Sequence, residues 1–347
     1  MIVEAIALRN FRSYASLELE LSAGIVLVTG ENGAGKTNLL EAIHIGTQGF
    51  SPRTRSDGRM VRLGETAASV ALRIDRSGSR HDVRVKLAAG AGKSAELDGA
   101  RLPSSESLRR EFPALVFTPD RLAVVKGGPA VRRAYLDRVV PRLFPAQSEV
   151  PQDYAVALAQ RNAALRRAQL GLGSREAVAP WTERVALHGA QLVEARRETA
   201  SALLSGFRDS LAELGLPGGM LEYEGAPPDV PALEARLEAD LARGATGLGP
   251  HLDDLSIVAD GRELRNFGSQ GEQRLAVLAL LLAEARLISP VPVLLLDDVL
   301  SELDSRRREV LASSVAGLGQ TVITSTHRSA LPADPDQVVE VTPGTAV

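Results

Sequence analysis

Gly30-Glu31-Asn32-Gly33-Ala34-Gly35-Lys36-Thr37 fits the pattern G-x-x-x-x-G-K-[ST]. Each residue type there has a task in holding phosphate. Glycines let the backbone curl so that several N–H groups converge on one anion. A helix that starts at the loop adds its positive end. Lys36 brings a point charge for the β- and γ-phosphates, and Thr37 a hydroxyl for Mg²⁺. A second stretch complements this cradle. Val293-Leu294-Leu295-Leu296 runs apolar into Asp297-Asp298. At the end of a buried strand beside the cradle, Asp297 would serve Mg²⁺, usually through water. Asp298 would orient an attacking water as a base. Adjacent acids after a strand are, taken alone, more often helix caps. Paired with the cradle, they read as metal and water carboxylates, with ATP and Mg²⁺ as the expected cofactors.

A third constellation is Ser269-Gln270-Gly271-Glu272-Gln273, which opens an apolar-striped helix. In isolation it is a capping box, Ser269 with Glu272 at the third position. A serine hydroxyl, a glycine amide and a helix N-terminus also make an anion site. Its form resembles the signature motif of ABC-type ATPases, which faces the γ-phosphate held by the other subunit. Ser301-Glu302-Leu303-Asp304 resembles the loop that crosses the dimer interface in that class. His327 follows a strand and reads equally as a γ-phosphate sensor or as polar surface.

These residues need an α/β frame. Ile25-Val26-Leu27-Val28 is a β-branched apolar run that feeds the cradle. Residues 37–45 have helical spacing. Residues 291–296 form an unbroken apolar run, the mark of a strand covered on both faces, and residues 321–324 give another strand. Residues 2–8, 17–21 and 70–86, with the stretch around Glu96, suggest a small antiparallel sheet. Residues 153–170 and 181–214 are rich in Ala, Leu, Arg and Glu with helical spacing, and prolines punctuate them. The expected division is a nucleotide lobe of residues 1–118 and 246–347, with a mainly helical lobe of residues 119–245 inserted.

Composition sets outer bounds. The chain has 347 residues and no cysteine, which excludes disulfides, thiol nucleophiles and cysteine-based zinc sites. The first residues do not read as a signal peptide, and no apolar run approaches the ~20 residues that span a bilayer. A cytosolic protein with no membrane partner is expected. The net charge of −3 conceals asymmetry. Residues 51–86 hold nine basic and four acidic side chains, as do residues 101–142, whereas residues 209–263 hold three basic against twelve acidic. Such asymmetry can give one basic face on an acidic protein.

The longer motifs resemble one family, the bacterial recombination-repair RecF proteins. Leu8-Arg9-Asn10-Phe11-Arg12-Ser13-Tyr14 is similar to the family's opening strand and turn. Pro119-Asp120-Arg121, Val124-Val125-Lys126-Gly127-Gly128-Pro129, Arg132-Arg133 and Tyr135-Leu136-Asp137 resemble its internal signature, and Gly249-Pro250-His251-Leu252-Asp253-Asp254-Leu255 a second one. The resemblance implies an ABC/SMC-type P-loop ATPase head with an antiparallel β subdomain and an inserted helical lobe. It implies a slow ATPase whose ATP-dependent homodimer binds gapped, single-stranded or junction DNA. The family assists RecO and RecR in loading RecA, in gap repair, fork maintenance and SOS induction. Two positions depart from the pattern. Leu252 stands where many relatives carry a basic residue, and Asp298 where most ABC ATPases carry glutamate. No glutamine fits the expected metal-facing loop, since Gln48 follows the cradle helix too soon.

If DNA is a ligand, phosphate contacts should dominate. Arg53, Arg55, Arg59, Arg62, Arg132 and Arg133 are the candidates, and Arg12 is assigned to the nucleotide. Aromatic residues make up 3% of the chain, too few for base-stacking platforms. The competing reading is an ATPase subunit of a transporter, a class whose cradle and signature lie closer together in sequence.

Overall fold

The computed structural model describes residues 1–88, 90 and 92–347, without the side chains of Glu106, Pro119 and Asp120. The chain forms two compact units, Met1–Arg121 with Glu284–Val347, and Leu122–Ala283.

In the first unit a six-stranded central sheet has the order Thr345–Ala346, Gln337–Thr342, Ile25–Thr29, Thr321–Ser325, Val293–Leu296, Ala114–Phe117. Its last five strands are mutually parallel. That explains why they read as continuous apolar runs: Ile25–Thr29, Val293–Leu296 and Thr321–Ser325 are buried at every residue. The second sheet of this unit is antiparallel and also six-stranded. Its order is Tyr14–Glu20, Ile2–Phe11, Ala67–Arg76, Ser79–Ala88, Gly92–Leu97, Ala100–Arg101. Here Val70, Leu72 and Ile74 alternate with more exposed neighbours, the period of a sheet with one wet face.

The cradle helix, Lys36–Gln48, lies in the core that both sheets share. All but two of its thirteen residues are buried, so it lacks a clean polar stripe. Gly46 lets it approach the antiparallel sheet, where a Cβ would fall 2.3 Å from Leu72 Cδ1. Gln320 fastens the two sheets from the side. Its amide accepts from Val3 N–H (2.7 Å) and donates to the carbonyls of Val3 (2.9 Å) and Ser22 (2.8 Å).

The second unit is mainly helical. Val150–Gln169 packs on the 35-residue helix Ala179–Glu213, and Pro129–Leu143 packs on the same long helix. A three-stranded sheet of Arg262–Glu263, Asp254–Ala259 and Met220–Glu224 completes it. This sheet corrects the expected boundary. Residues 246–283, expected in the nucleotide lobe, cluster with the helical unit, because Asp254–Ala259 pairs antiparallel with Met220–Glu224 beside the long helix. Among the described residues no helix is long and apolar enough to cross a membrane.

Candidate functional site

The cradle leaves its strand at Gly30 and enters its helix at Lys36. Gly35 has φ 121° and would press a Cβ within 2.9 Å of Ser13 Oγ and 3.1 Å of Tyr14 Oη, so only glycine fits. Tyr14 Oη donates to Gly35 O (3.1 Å), and burial pushes the phenol pKa up to about 12. The turn preceding Tyr14 therefore supports the loop from below. Lys36 is 8% exposed, and its Nζ donates to Gly30 O (2.6 Å) and Glu31 O (2.8 Å). Burial lowers its pKa, while the charges of Asp298 and Asp297 oppose the shift. A buried ammonium ringed by a backbone loop is suited to an anion with several negative oxygens.

Asp297 sits just beyond its strand, with its N–H bonded to Phe117 O (3.0 Å). It does not come from the strand next to the cradle strand, because Thr321–Ser325 lies between them. The intervening strand contributes Thr324 instead. Thr37 Oγ1 and Thr324 Oγ1 each donate to Asp297 Oδ1 at 2.9 Å. Burial raises the Asp297 pKa despite these donors and the nearby charge of Arg53. A buried carboxylate with a hydroxyl beside it is a hard oxygen donor pair that fits Mg²⁺, which keeps most of its waters. Asp298 is exposed, left-handed at φ 50°, and pinned through its N–H to Thr324 Oγ1 (2.8 Å). Thr324, which sequence reading passed over, thus sets both acids.

Glu41 was also missed. It is 1% exposed on the cradle helix and accepts Arg12 Nε and Nη2 (2.8 Å each) and Ser51 Oγ (2.5 Å), with Arg53 Nη1 at 3.5 Å. Arg12 also donates to Arg59 O (2.7 Å). Three of its five N–H donors are thereby held by protein oxygens, which sets it between the cradle helix and the segment around Arg59, and its side chain stays 21% exposed. That segment pairs with the Arg12 turn: Arg12 N–H donates to Met60 O (2.9 Å) and Arg62 N–H to Asn10 O (2.8 Å). Arg53, Arg55 and Arg59 are exposed on it, and Arg62 is half-buried.

The remaining candidates divide. In the second unit, Ser269 and Glu272 form a reciprocal capping box, Glu272 Oε2 accepting Ser269 N–H (2.7 Å) and Ser269 Oγ accepting Glu272 N–H (3.3 Å). Ser269, Gln270 and Gly271 are all exposed at that helix start. In the first unit, Asp304 caps the helix Ser305–Ala316 by accepting Arg307 N–H (2.9 Å). His327 is exposed, with its backbone tied to Ser325 Oγ (3.3 Å). Gln48 is buried on Phe112 O (2.8 Å), a packing role. Arg132 is a correction. It is 1% exposed and grips Asp254 with Nε and Nη2 (2.7 and 2.5 Å) and Gly127 O with Nη1 (2.7 Å), so it faces no DNA. Arg133 is half-buried and donates through Nη1 to Asp253 O (2.6 Å).

The family model for the RecF/RecN/SMC N-terminal domain matches residues 2–346. A DNA replication and repair protein RecF of Anaeromyxobacter dehalogenans is 39% identical, covering 92% of this chain and 91% of its own. The chain belongs to the RecF family. A RecF of Synechococcus sp. is 34% identical over 94% of this chain and 92% of its own. A solved structure of the recombination mediator protein RecF–ATP in the RecFOR pathway matches with TM-score 0.87 and 27% identity, covering 99% of this chain and 96% of that one. An Smc head bound to a winged-helix domain of ScpA matches with TM-score 0.63 at 18% identity, which shows the shared fold.

The RecF-like stretches have a physical reading in the second unit. The stretch from Gly249 to Leu255 is clasped from several sides. Arg132 holds Asp254, Arg196 holds Asp137 in a fork (2.8 and 2.9 Å) and donates to Pro250 O (2.7 Å), and Tyr223 Oη donates to Asp253. Thr246 O can only accept, so His251 Nε2 carries the proton (2.9 Å) and Nδ1 accepts from Tyr154 Oη (2.7 Å). Burial lowers the His251 pKa, keeping the ring neutral. Leu252 is 58% exposed on this clasp, with no part in it. The side chains of Pro119 and Asp120 lie outside the described residues.

Proposed function

We propose that the protein is an ATP-switched DNA-binding protein of recombinational gap repair. The cradle takes the triphosphate, with Lys36 against the β- and γ-phosphates. Thr37 and Asp297 hold Mg²⁺, which supplies charge neutralisation at the transferring phosphate. Asp298 orients the water that attacks. The carboxylate of an aspartate reaches less far than that of glutamate, which accords with slow turnover and a switch rather than a motor.

Ser269, Gln270 and Gly271 present an exposed helix start that meets the triphosphate of a second copy, so ATP closes a homodimer. Asp304 and His327 belong to the same closed interface. The dimer binds DNA near the arginines of residues 53–62 and acts with RecO- and RecR-like partners in loading RecA, with consequences for fork maintenance and SOS induction. The observation that carries this reading is the Thr37–Asp297–Thr324 set, in which both hydroxyls donate to Asp297 Oδ1, and it supports Asp297 as the acid that serves the metal. Two solved relatives described as RecF with ATP or its analogue add support. The transporter reading has lost its footing, because the RecF-type match runs from residue 2 to 346.

The test is anisotropy of labelled gapped duplex with and without ATP. Wild type should bind with ATP, Asp298→Asn should bind longer, and Lys36→Ala should not respond to ATP. DNA affinity that is equal in all three, with and without ATP, contradicts the switch.

A further inference from the structure

Outside the cradle, the antiparallel sheet carries an ordered charge pattern on its wet face. Strand register puts five residues in one cross-strand row. Arg9 stands opposite Ser16 on one side and Ser69 on the other, and Lys86 stands opposite Ser69 and Ser94. Their neighbours Leu8, Val70, Val85 and Ala95 are buried, so the row faces outward. Five strands at about 4.8 Å spacing make the row about 19 Å wide.

We propose that this row is a docking surface for the phosphate backbone of duplex DNA, distinct from the arginines of residues 53–62. The proposal rests on the DNA-binding reading above and assigns it a second surface. Serine hydroxyls alternate with cations across the row, and both groups bond phosphate oxygens. Small residues beside it leave an open concavity of about 570 Å³ whose lining holds Arg9, Lys86, Lys93 and Arg101 and, among the described residues, no carboxylate. Farther along the same face the charge becomes mixed, with Glu18, Glu20, Asp82 and Glu96 beside Arg73 and Arg84 in the neighbouring depression. The end of the sheet that holds the row is thereby the more favourable one for a polyanion. The exposed Lys86 shares its charge with the half-buried Glu96 (2.7 Å), a pair that phosphate can displace.

The chemistry favours nucleic acid over an acidic protein. The row contains no aromatic or large apolar side chain to anchor a protein interface or stack a base. The surface is also continuous with the arginine segment. Asn10, next to Arg9, accepts Arg62 N–H (2.8 Å), and Lys93 reaches Asp57 of that segment at 3.6 Å.

The experiment titrates a 30-base-pair duplex against wild type, Arg9→Gln/Lys86→Gln and Arg9→Glu/Lys86→Glu, with ATP and across a KCl series. The glutamine pair should lower the log–log salt slope by about two and weaken binding about tenfold, since two phosphate contacts are lost. The glutamate pair should weaken it further. ATP affinity and melting temperature should match wild type in both, because the side chains are exposed and distant from the cradle residues in sequence. Wild-type slope and affinity in both pairs overturn the proposal, while DNA binding by wild type with ATP keeps the functional reading. If wild type itself fails to bind duplex with ATP, the functional reading falls first and this surface with it.

Discussion

Arginine does opposite work in the two units. Around the cradle, Arg12 and Arg53 gather on the buried carboxylate of Glu41, and their side chains remain 21% and 41% exposed. In the helical unit, Arg132, Arg161 and Arg196 are almost fully buried and carry aspartates with them. The first arrangement leaves cationic surface that solvent and ligand can reach. The second spends its cations on internal ties. A buried ion pair adds little net stability, but removing one partner strands a charge in a poorly solvated site. The same letter in the sequence thus marks a surface in one unit and a clasp in the other.

The comparison breaks most visibly at Arg132. Arg132→Ala leaves Asp254 without its fork, and denaturant unfolding should show a loss of about 3 kcal/mol. Arg132→Ala with unchanged stability would put Arg132 back among the surface cations.

Lys36→Ala is the counterpart in the first unit. Calorimetry should show ATP affinity lower by about a hundredfold, with the melting temperature little changed. The two variants together separate a ligand cation from a structural one.

A third effect concerns pH. Burial raises the Asp297 pKa above its ordinary value, so the fold favours the neutral acid. Its stabilising contribution is full below the ordinary carboxylate range and is lost as pH rises through the raised value. Above that raised value the ionised Asp297 therefore weakens the ligand-free protein. Asp297→Asn should melt higher than wild type without ligand and lose the extra stabilisation that Mg²⁺–ATP gives. His251 runs the other way. Its pKa is depressed, so the neutral ring stabilises the fold above the ordinary histidine range, and that stability falls as pH drops below about 6.5. His251→Gln should flatten acid sensitivity in that window, measured as melting temperature from pH 7 to 5.

The smallest effect on stability belongs to the surface arginines. Arg53→Ala/Arg55→Ala/Arg59→Ala should change unfolding free energy by less than about 1 kcal/mol, since each site is exposed. The same variant should flatten the salt dependence of DNA binding by about three units of slope. Unchanged slope would remove residues 53–62 from the interface.

What the sequence revealed was whatever is contiguous along it. The cradle, the paired acids after an apolar run, and the serine-capped helix start each occupy a handful of neighbouring positions, so residue type and spacing suffice. Thr324 and Glu41 lay outside that reach. A threonine in a strand and a glutamate in a helix are ordinary, and their meaning comes from partners brought close by folding, Asp297 for one and Arg12 with Ser51 for the other. Arg132 misled for the same reason, because its partner Asp254 is far away in sequence. The boundary near residue 246 was placed by a change of pattern, whereas strand pairing of Asp254–Ala259 with Met220–Glu224 decided where that segment packs.

The central claim is that one copy supplies the cradle and a second copy supplies the serine-capped helix start. Sedimentation velocity with a non-hydrolysable ATP analogue and Mg²⁺ tests it directly. Wild type should sediment as a dimer with the analogue and as a monomer without it, and Ser269→Arg should bind the analogue yet stay monomeric. A saturated wild type that remains monomeric, or a Ser269→Arg variant that dimerises normally, contradicts the account.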